Sequence, residues 1–153
     1  WPKTYDTIIS FADAFNYLPT LHDFKAALAQ AAQHLNTGGQ LLFDVITPYQ
    51  VNELYQDYYY NNDDDADNIF MWTSYPGDSI NSVDHDLKFF VYDEAIDGFK
   101  ILREIHHEQT YDLIVYQQAL EEAGFKDVQV MADFGDHSVN DETSRWFFKA
   151  VKI

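Results

Sequence analysis

A strand–helix–strand unit near the start of the chain limits the folds that are open to it. Residues 5–11, Tyr-Asp-Thr-Ile-Ile-Ser-Phe, form a β-branched and aromatic run that is typical of a strand. Residues 21–36 carry one apolar stripe at helical spacing. Residues 40–46, Gln-Leu-Leu-Phe-Asp-Val-Ile, form a nearly continuous apolar run, as in strands buried on both faces of a parallel sheet. The unit predicts a right-handed crossover in an α/β fold.

Local signals mark the ends of the predicted helix. Thr20, with Asp23 three residues later, resembles a capping box, in which each side chain satisfies a free backbone N–H. Gly38-Gly39 predicts the end of the helix, because glycine adopts the left-handed conformation that closes one.

The middle of the chain predicts an antiparallel insertion. Residues 49–68 are rich in Tyr, Asn and Asp, and turn signals at 76–78 and 97–98 separate the segments that follow. Predicted strands cover 69–75, 86–92 and 99–109. We therefore predict an insertion at 49–111 within an α/β domain of residues 1–48 and 112–153, which closes with a helix at 113–123 and strands at 128–134 and 146–153.

Charge excludes some partners. The chain has 9 Lys and Arg against 26 Asp and Glu, a net charge of −17. A nucleic-acid binder needs a basic surface to displace counterions, and an anionic membrane attracts the same residues. No apolar run approaches the roughly 20 residues of a membrane span. We expect a cytoplasmic protein that binds neither nucleic acid nor membrane.

Five segments in this order resemble class I S-adenosylmethionine-dependent methyltransferases. They are Tyr-Asp-Thr-Ile-Ile-Ser at 5–10, Asp-Ala-Phe-Asn-Tyr-Leu at 13–18, the run from Leu35 to Val45 with its two glycines, Leu-Glu-Glu-Ala-Gly-Phe at 120–125 and Arg-Trp-Phe-Phe-Lys-Ala at 145–150. The resemblance covers nearly the whole chain and implies the fourth to seventh strands of the family's sheet. The last of these would be antiparallel. The fold class is then α/β, a partial Rossmann-like methyltransferase sheet with an antiparallel β insertion.

The family's cofactor-binding half has no counterpart here. Its glycine-rich loop after the first strand and the acidic residue that holds the ribose would lie before Trp1. Gly38-Gly39 cannot replace that loop, because it precedes a strand instead of following one. The chain also lacks an initiator Met. We expect a part of a longer methyltransferase that does not bind S-adenosylmethionine normally by itself.

The resemblance implies a cofactor site outside the first strand. Ser10, Phe11, Asp13 and Asn16 would run under the methionine portion of the cofactor, at the carboxyl end of the strand where α/β sheets bind ligands. The alternative is that Asp13 and Asn16 cap a short turn.

Four further residues are candidates for the substrate side. Tyr17 and Tyr49 would line a substrate pocket, or would be ordinary half-buried tyrosines. Asp44, in an apolar strand, would face the crevice as a catalytic candidate or be paired, since an unpaired buried carboxylate is costly. His106 is a second catalytic candidate, as a base. We predict no metal site, because His106 and its neighbour His107 point to opposite faces of a strand.

The function predicted for the parent protein is methyl transfer to a small-molecule acceptor. A non-catalytic module is the alternative, and it would dimerise through the insertion or an exposed sheet edge. A third hypothesis is that the chain belongs to another Rossmann-like enzyme, such as a dehydrogenase. An antiparallel final strand beside the penultimate strand would favour the methyltransferase over the dehydrogenase.

Overall fold

The computed structural model describes residues 3–65 and 67–153 and contains two four-stranded sheets. The first two residues of the predicted domain at 1–48, and residue 66 of the predicted insertion, lie outside the described part. The elements are β1 Tyr5–Ser10, α1 Leu21–His34, β2 Leu35–Ile46, β3 Tyr59–Asp65, β4 Asn68–Pro76, β5 Ser82–Asp93, β6 Gly98–Gln109, α2 Leu113–Glu122, β7 Phe125–Met131 and β8 Arg145–Lys152.

The first sheet combines parallel and antiparallel strands in the order β1-β2-β8-β7. β1 and β2 are parallel and are joined by α1, as the sequence predicts. β8 runs antiparallel to both β2 and β7, between them. The last strand therefore lies antiparallel beside the penultimate one, the arrangement that favours the methyltransferase fold over the dehydrogenase reading.

Aromatic rings fill the core between this sheet and its helices. Phe43 of β2 and Phe148 of β8 stack with their ring centroids 4.6 Å apart. Tyr116 of α2 meets Phe24 of α1 edge-on at 5.2 Å and lies 5.6 Å from Phe148. All four residues are almost completely buried, so α1 and α2 share one core above the sheet.

The two glycines lie in a strand instead of ending the helix. α1 ends at His34, and β2 already begins at Leu35, whose side chain is buried in the core. Gly38 has a φ of +81°, at a bulge in the β1–β2 pairing. A Cβ on Gly39 would lie 3.1 Å from the Asp6 carbonyl oxygen. The glycines are thus needed for a bulge and for close strand approach.

The second sheet is an antiparallel meander in the order β3-β4-β5-β6. Three of its strands agree with the prediction. β3 was not predicted, because Asn and Asp, which are rare in strands, make up much of Tyr59–Asp65. The division into a domain and an insertion at 49–111 stays a prediction.

The predicted strand at 128–134 is shifted. β7 covers Phe125–Met131, three residues earlier, and a 3₁₀ turn follows at Asp133–Gly135. Phe134 in that turn has a φ of +57°, which is incompatible with a strand.

A buried amide joins the two sheets. Asn16 lies in a 3₁₀ turn, Ala14–Tyr17, and is 1% exposed. Its Oδ1 accepts a hydrogen bond from the Ile46 N–H at 3.0 Å, and its Nδ2 donates to the Gln109 carbonyl at 2.9 Å. The ends of β2 and β6 are thereby held against the turn that follows β1.

Replacing Asn16 tests how much its side-chain amide contributes to the free energy of unfolding. Asn16→Ala leaves the buried Ile46 N–H without its side-chain partner, and we expect it to lower the free energy of unfolding by about 1–3 kcal/mol. Asn36→Ala is the matched control, because Asn36 bonds Asp6 at the surface, and a change within about 0.5 kcal/mol is expected. Urea denaturation measures both. Equal losses in the two variants would contradict the assignment.

Candidate functional site

A cleft of about 220 Å³ lies between the turn after β1 and one face of the second sheet. The turn contributes Asp13 and Tyr17, and the sheet contributes Trp72, His85 and Glu108 among others. Because alternate residues of a strand share a face, His106 and Glu108 point to the same side of β6. His85 pairs directly with His106 across the β5–β6 ladder. The hairpin register therefore collects these groups on one face.

His85 is held as a neutral imidazole. The Trp72 indole N–H donates to its Nδ1 at 3.0 Å, and the Ser74 hydroxyl lies 2.8 Å from the same nitrogen. Since an indole can only donate, Nδ1 must accept, and the ring proton lies on Nε2. Burial lowers the pKa of His85 to about 4. His85 therefore presents an N–H to Glu108, whose Oε1 lies 3.6 Å from Nε2.

Glu108 is a buried carboxyl without enough partners. Burial, and then the charge of Asp13, raise the pKa of Glu108 to about 7, against the opposing effects of Tyr17 and Arg145. Among the described residues, neither Glu108 Oε2 nor His85 Nε2 has a hydrogen-bond partner. Buried polar atoms in native proteins are nearly always paired. Two unpaired atoms beside a cleft indicate a place for a ligand.

Tyr17 and His106 meet at the edge of the cleft. The Tyr17 hydroxyl lies 3.0 Å from His106 Nδ1, and His106 Nε2 lies 2.9 Å from a carboxylate oxygen of Glu104. Burial and the neighbouring Glu108 raise the pKa of Tyr17 to about 12, so its hydroxyl is neutral at physiological pH. The structure thus brings together one predicted substrate residue and one predicted catalytic candidate. Their roles stay predictions.

Arg145 ties the ends of the first two strands together. It donates to Asp44 Oδ2 at 2.8 Å and to Asp13 Oδ2 at 3.2 Å, and the Asp13 N–H donates to Asp44 Oδ1 at 2.9 Å. Asp44 is 3% exposed and paired, which is one of the two alternatives set out for it. Phe11 borders a depression of about 430 Å³ beside these three residues. This depression lies at the carboxyl end of β1, where the cofactor is predicted.

The other predicted site residues lie apart from the cleft. Ser10 ends β1 opposite Phe43. Asn16 is occupied by the junction between the sheets. Tyr49 directly precedes a π-helical turn at Gln50–Leu54 and borders a different depression. No finding tests these assignments, and they stay predictions.

Comparison with known proteins identifies the fold. No family profile matches the chain. A protein of Geobacillus sp. (strain WCH70) is 33% identical over 151 residues, and YqeM of Bacillus subtilis (strain 168) is 34% identical over 149 residues. Both are provisionally named methyltransferases. The alignments cover 98% and 97% of this chain but 60% and 59% of the relatives, so the chain spans about three fifths of their length.

A solved structure matches nearly the whole chain. An S-adenosylmethionine-dependent methyltransferase from Clostridium acetobutylicum superposes with a TM-score of 0.86 at 22% identity, covering 99% of this chain and 60% of that one. The chain has the fold of S-adenosylmethionine-dependent methyltransferases. This confirms the predicted fold class. In the described part of the chain, no helix has the length and hydrophobicity to cross a membrane.

Sequence reasoning did not single out His85, Trp72, Glu108 or Arg145 as site residues. One signal could have found the first of these. The turn at Asp97-Gly98 sets the hairpin register, and that register places His85 opposite His106. The pairing of Arg145 with Asp13 and Asp44 joins distant parts of the chain and leaves no local signal.

The two buried groups predict opposing effects of pH on stability. Glu108 has a folded pKa of about 7 against an ordinary 4.5, so its contribution to stability falls as pH rises through that interval. His85 has a folded pKa of about 4 against an ordinary 6.5, so its contribution falls as pH drops through that interval. Where the intervals overlap, the two slopes oppose each other.

Removing either group should expose the slope of the other. We expect Glu108→Gln to become more stable as pH rises from about 4 to 6.5, and His85→Gln to become less stable from about 4.5 to 7, each by on the order of 2–3 kcal/mol. Urea denaturation across this range measures the slopes, and Glu104→Gln, an exposed residue on the same face of β6, is the control. Profiles parallel to that of the unmodified chain in both variants would contradict the pKa directions.

Proposed function

We propose that this chain is the acceptor-binding part of an S-adenosylmethionine-dependent methyltransferase that acts on a small molecule. The observation that carries the proposal is the cleft with its unpaired Glu108 and His85 atoms, next to the carboxyl ends of the parallel strands β1 and β2. Ligands of α/β sheets bind at this edge. Typical pockets for drug-sized ligands are roughly 300–1,000 Å³, so a cleft of about 220 Å³ suits one small group rather than a polymer.

The residues at the end of β1 fit the reactive end of the cofactor. S-adenosylmethionine supplies, when bound, a methyl group on a positively charged sulfonium. Phe11 offers an aromatic ring and Asp13 a carboxylate beside the predicted position, and both attract a cation. Arg145 and Asp44 hold this segment in place. The chain would contribute orientation, which can by itself supply a large share of the barrier reduction.

The rest of the cofactor site would come from chain outside these 153 residues. The curated relatives extend well beyond the aligned region, because the alignments with this chain cover only 60% and 59% of their lengths. We propose that the additional part carries the glycine-rich loop and the acidic residue for the ribose. β1 is at the edge of the first sheet, where further strands can pair with it.

Calorimetry measures how much the 153-residue chain and the additional part of the protein each contribute to cofactor affinity. We expect S-adenosylhomocysteine to bind the full-length gene product, and to bind the 153-residue chain roughly 100-fold more weakly, since a loss of about 2.8 kcal/mol of contacts gives that factor. Equal affinity would show that the crevice is complete without additional chain, as when a second copy closes it.

Turnover tests the cleft itself. Trp72→Ala in the full-length protein should lower S-adenosylhomocysteine formation with a panel of small acceptors at least roughly tenfold, about 1.4 kcal/mol of transition-state stabilisation. Cofactor affinity should stay within about threefold, because Trp72 lies on the acceptor side. Tyr75→Ala is the control, since Tyr75 lies on the other face of β4 and is exposed. Loss of cofactor binding in the Trp72 variant but not in the Tyr75 variant would contradict the assignment of Trp72 to the acceptor side.

Dimerisation through the insertion is a second candidate role. β6 is the edge of its sheet, and three apolar residues on one face of it are exposed: Phe99 by 43%, Ile101 by 62% and Ile105 by 57%. Exposed strand edges favour pairing with another chain, and the net charge of −17 opposes it. Analytical ultracentrifugation of the unmodified chain and of the Ile101→Lys variant measures their oligomeric states. The role requires that the unmodified chain forms a dimer and that the variant dimerises more weakly.

A further inference from the structure

We propose that the group bound in the cleft is an amine, and that Glu108 is the carboxylate that binds its ammonium form and accepts its proton. The proposal deepens the proposed function and rests on it for the methyl-transfer step. The amine-binding site itself stands on the geometry of the cleft.

The position of Glu108 calls for a cation. The residue is 3% exposed, yet it lines the cleft, and its Oε2 has no hydrogen-bond partner among residues 3–65 and 67–153. A buried carboxylate that lacks a partner costs much free energy when it is ionised. His85 does not supply the charge, because Trp72 holds it as the neutral tautomer. Arg145, on the other side of Asp13, is already paired with two carboxylates.

The remaining walls favour an ammonium over an alcohol or an acid. Asp13 adds a second carboxylate to the cleft, so an anionic acceptor would be repelled. Tyr17, Tyr55 and Trp72 line the same space with aromatic rings, whose faces attract cations within about 6 Å. Two carboxylates and three rings around a small volume form a site for a positively charged group.

The proton and the electron pairs balance in two steps. The ammonium R–NH₃⁺ gives one proton to the Glu108 carboxylate, which becomes a neutral carboxyl, and the nitrogen regains its lone pair. That lone pair then forms the nitrogen–carbon bond to the methyl group as the carbon–sulfur bond breaks and its electron pair goes to sulfur. The methylated ammonium carries the positive charge away, and Glu108 returns its proton to solvent.

The acidity of Glu108 suits this exchange. A base works best when its pKa lies near the working pH, and burial raises the pKa of Glu108 to about 7. Cation binding requires the ionised carboxylate, so affinity for an amine should increase as pH rises through about 7. The titratable and charged groups packed around Glu108 from the other elements are Asp13, Tyr17, Tyr55, His85 and Arg145, and His106 lines the same cleft from β6 itself.

Nuclear magnetic resonance of the Trp72 indole N–H measures binding directly. The 153-residue chain is titrated with benzylamine and, separately, with benzyl alcohol, which differs only in the polar group. We expect benzylamine to shift the Trp72 signal saturably and benzyl alcohol to bind at least roughly tenfold more weakly, as for one lost charged contact. Trp72→Phe assigns the signal.

Two glutamate variants make the test specific. Glu108→Gln should weaken benzylamine at least roughly tenfold and remove the dependence on pH around 7. Glu104→Gln, on the same face of β6 but exposed, should change benzylamine affinity by less than about threefold. Equal binding of the amine and the alcohol, or unchanged binding in Glu108→Gln, would overturn the proposal.

The outcome is independent of methyl transfer. Glu108-dependent amine binding in a full-length protein that forms no S-adenosylhomocysteine would refute the proposed function and leave the amine site standing. Turnover of hydroxyl acceptors without Glu108-dependent amine binding would refute the amine site alone.

Discussion

The geometry of the cleft depends on the side-chain amide of Asn16. One of its atoms bonds to Ile46 at the end of β2, and another bonds to Gln109 at the end of β6. Thr110 adds a bond from its hydroxyl to the Ile46 carbonyl at 2.6 Å. The residues next to these bonded positions are Tyr17 and Glu108, which face each other across the cleft. A bond that joins two sheets thus sets the distance between two groups of the site, although Asn16 itself is buried away from it.

The site combines groups that oppose each other electrostatically. Burial keeps Glu108 protonated up to about pH 7 and keeps His85 unprotonated down to about pH 4. Both side chains are therefore neutral over much of the range between these two values. A neutral pair avoids the large cost of desolvating two ions. The same burial makes Glu108 a stronger base than an exposed glutamate, because its proton is held more tightly. Stability and reactivity at this position therefore have one physical cause.

Much of the first sheet could be predicted from sequence, because its signals are local. The apolar run of β2 and the periodic stripe of α1 predict both elements, and α1 lies close to its predicted bounds, whereas β2 begins at Leu35 instead of residue 40. The glycines at 38 and 39 were misjudged, since left-handed backbone such as that of Gly38 occurs at some bulges as well as at helix ends. β3 was missed because pairing with β4 outweighs the low strand propensity of its Asn and Asp residues. The His85–Glu108 pair depends on strand register and burial, which a single sequence shows only indirectly.

Register connects the second sheet to the chemistry proposed for it. A shift of β6 by one residue would turn His107 and Gln109 toward the cleft and Glu108 away from it. The Gln109 side chain opposes such a shift, since it donates to the Ile80 carbonyl at 2.9 Å while its backbone carbonyl accepts from Asn16. The Thr110 N–H also donates to the Asn81 carbonyl at 2.9 Å. In the proposed function, the parallel strands place the cofactor, whereas the residues that the second sheet presents select the acceptor group. Under that proposal, the bonds that fix the register of β6 determine which acceptor the cleft can hold.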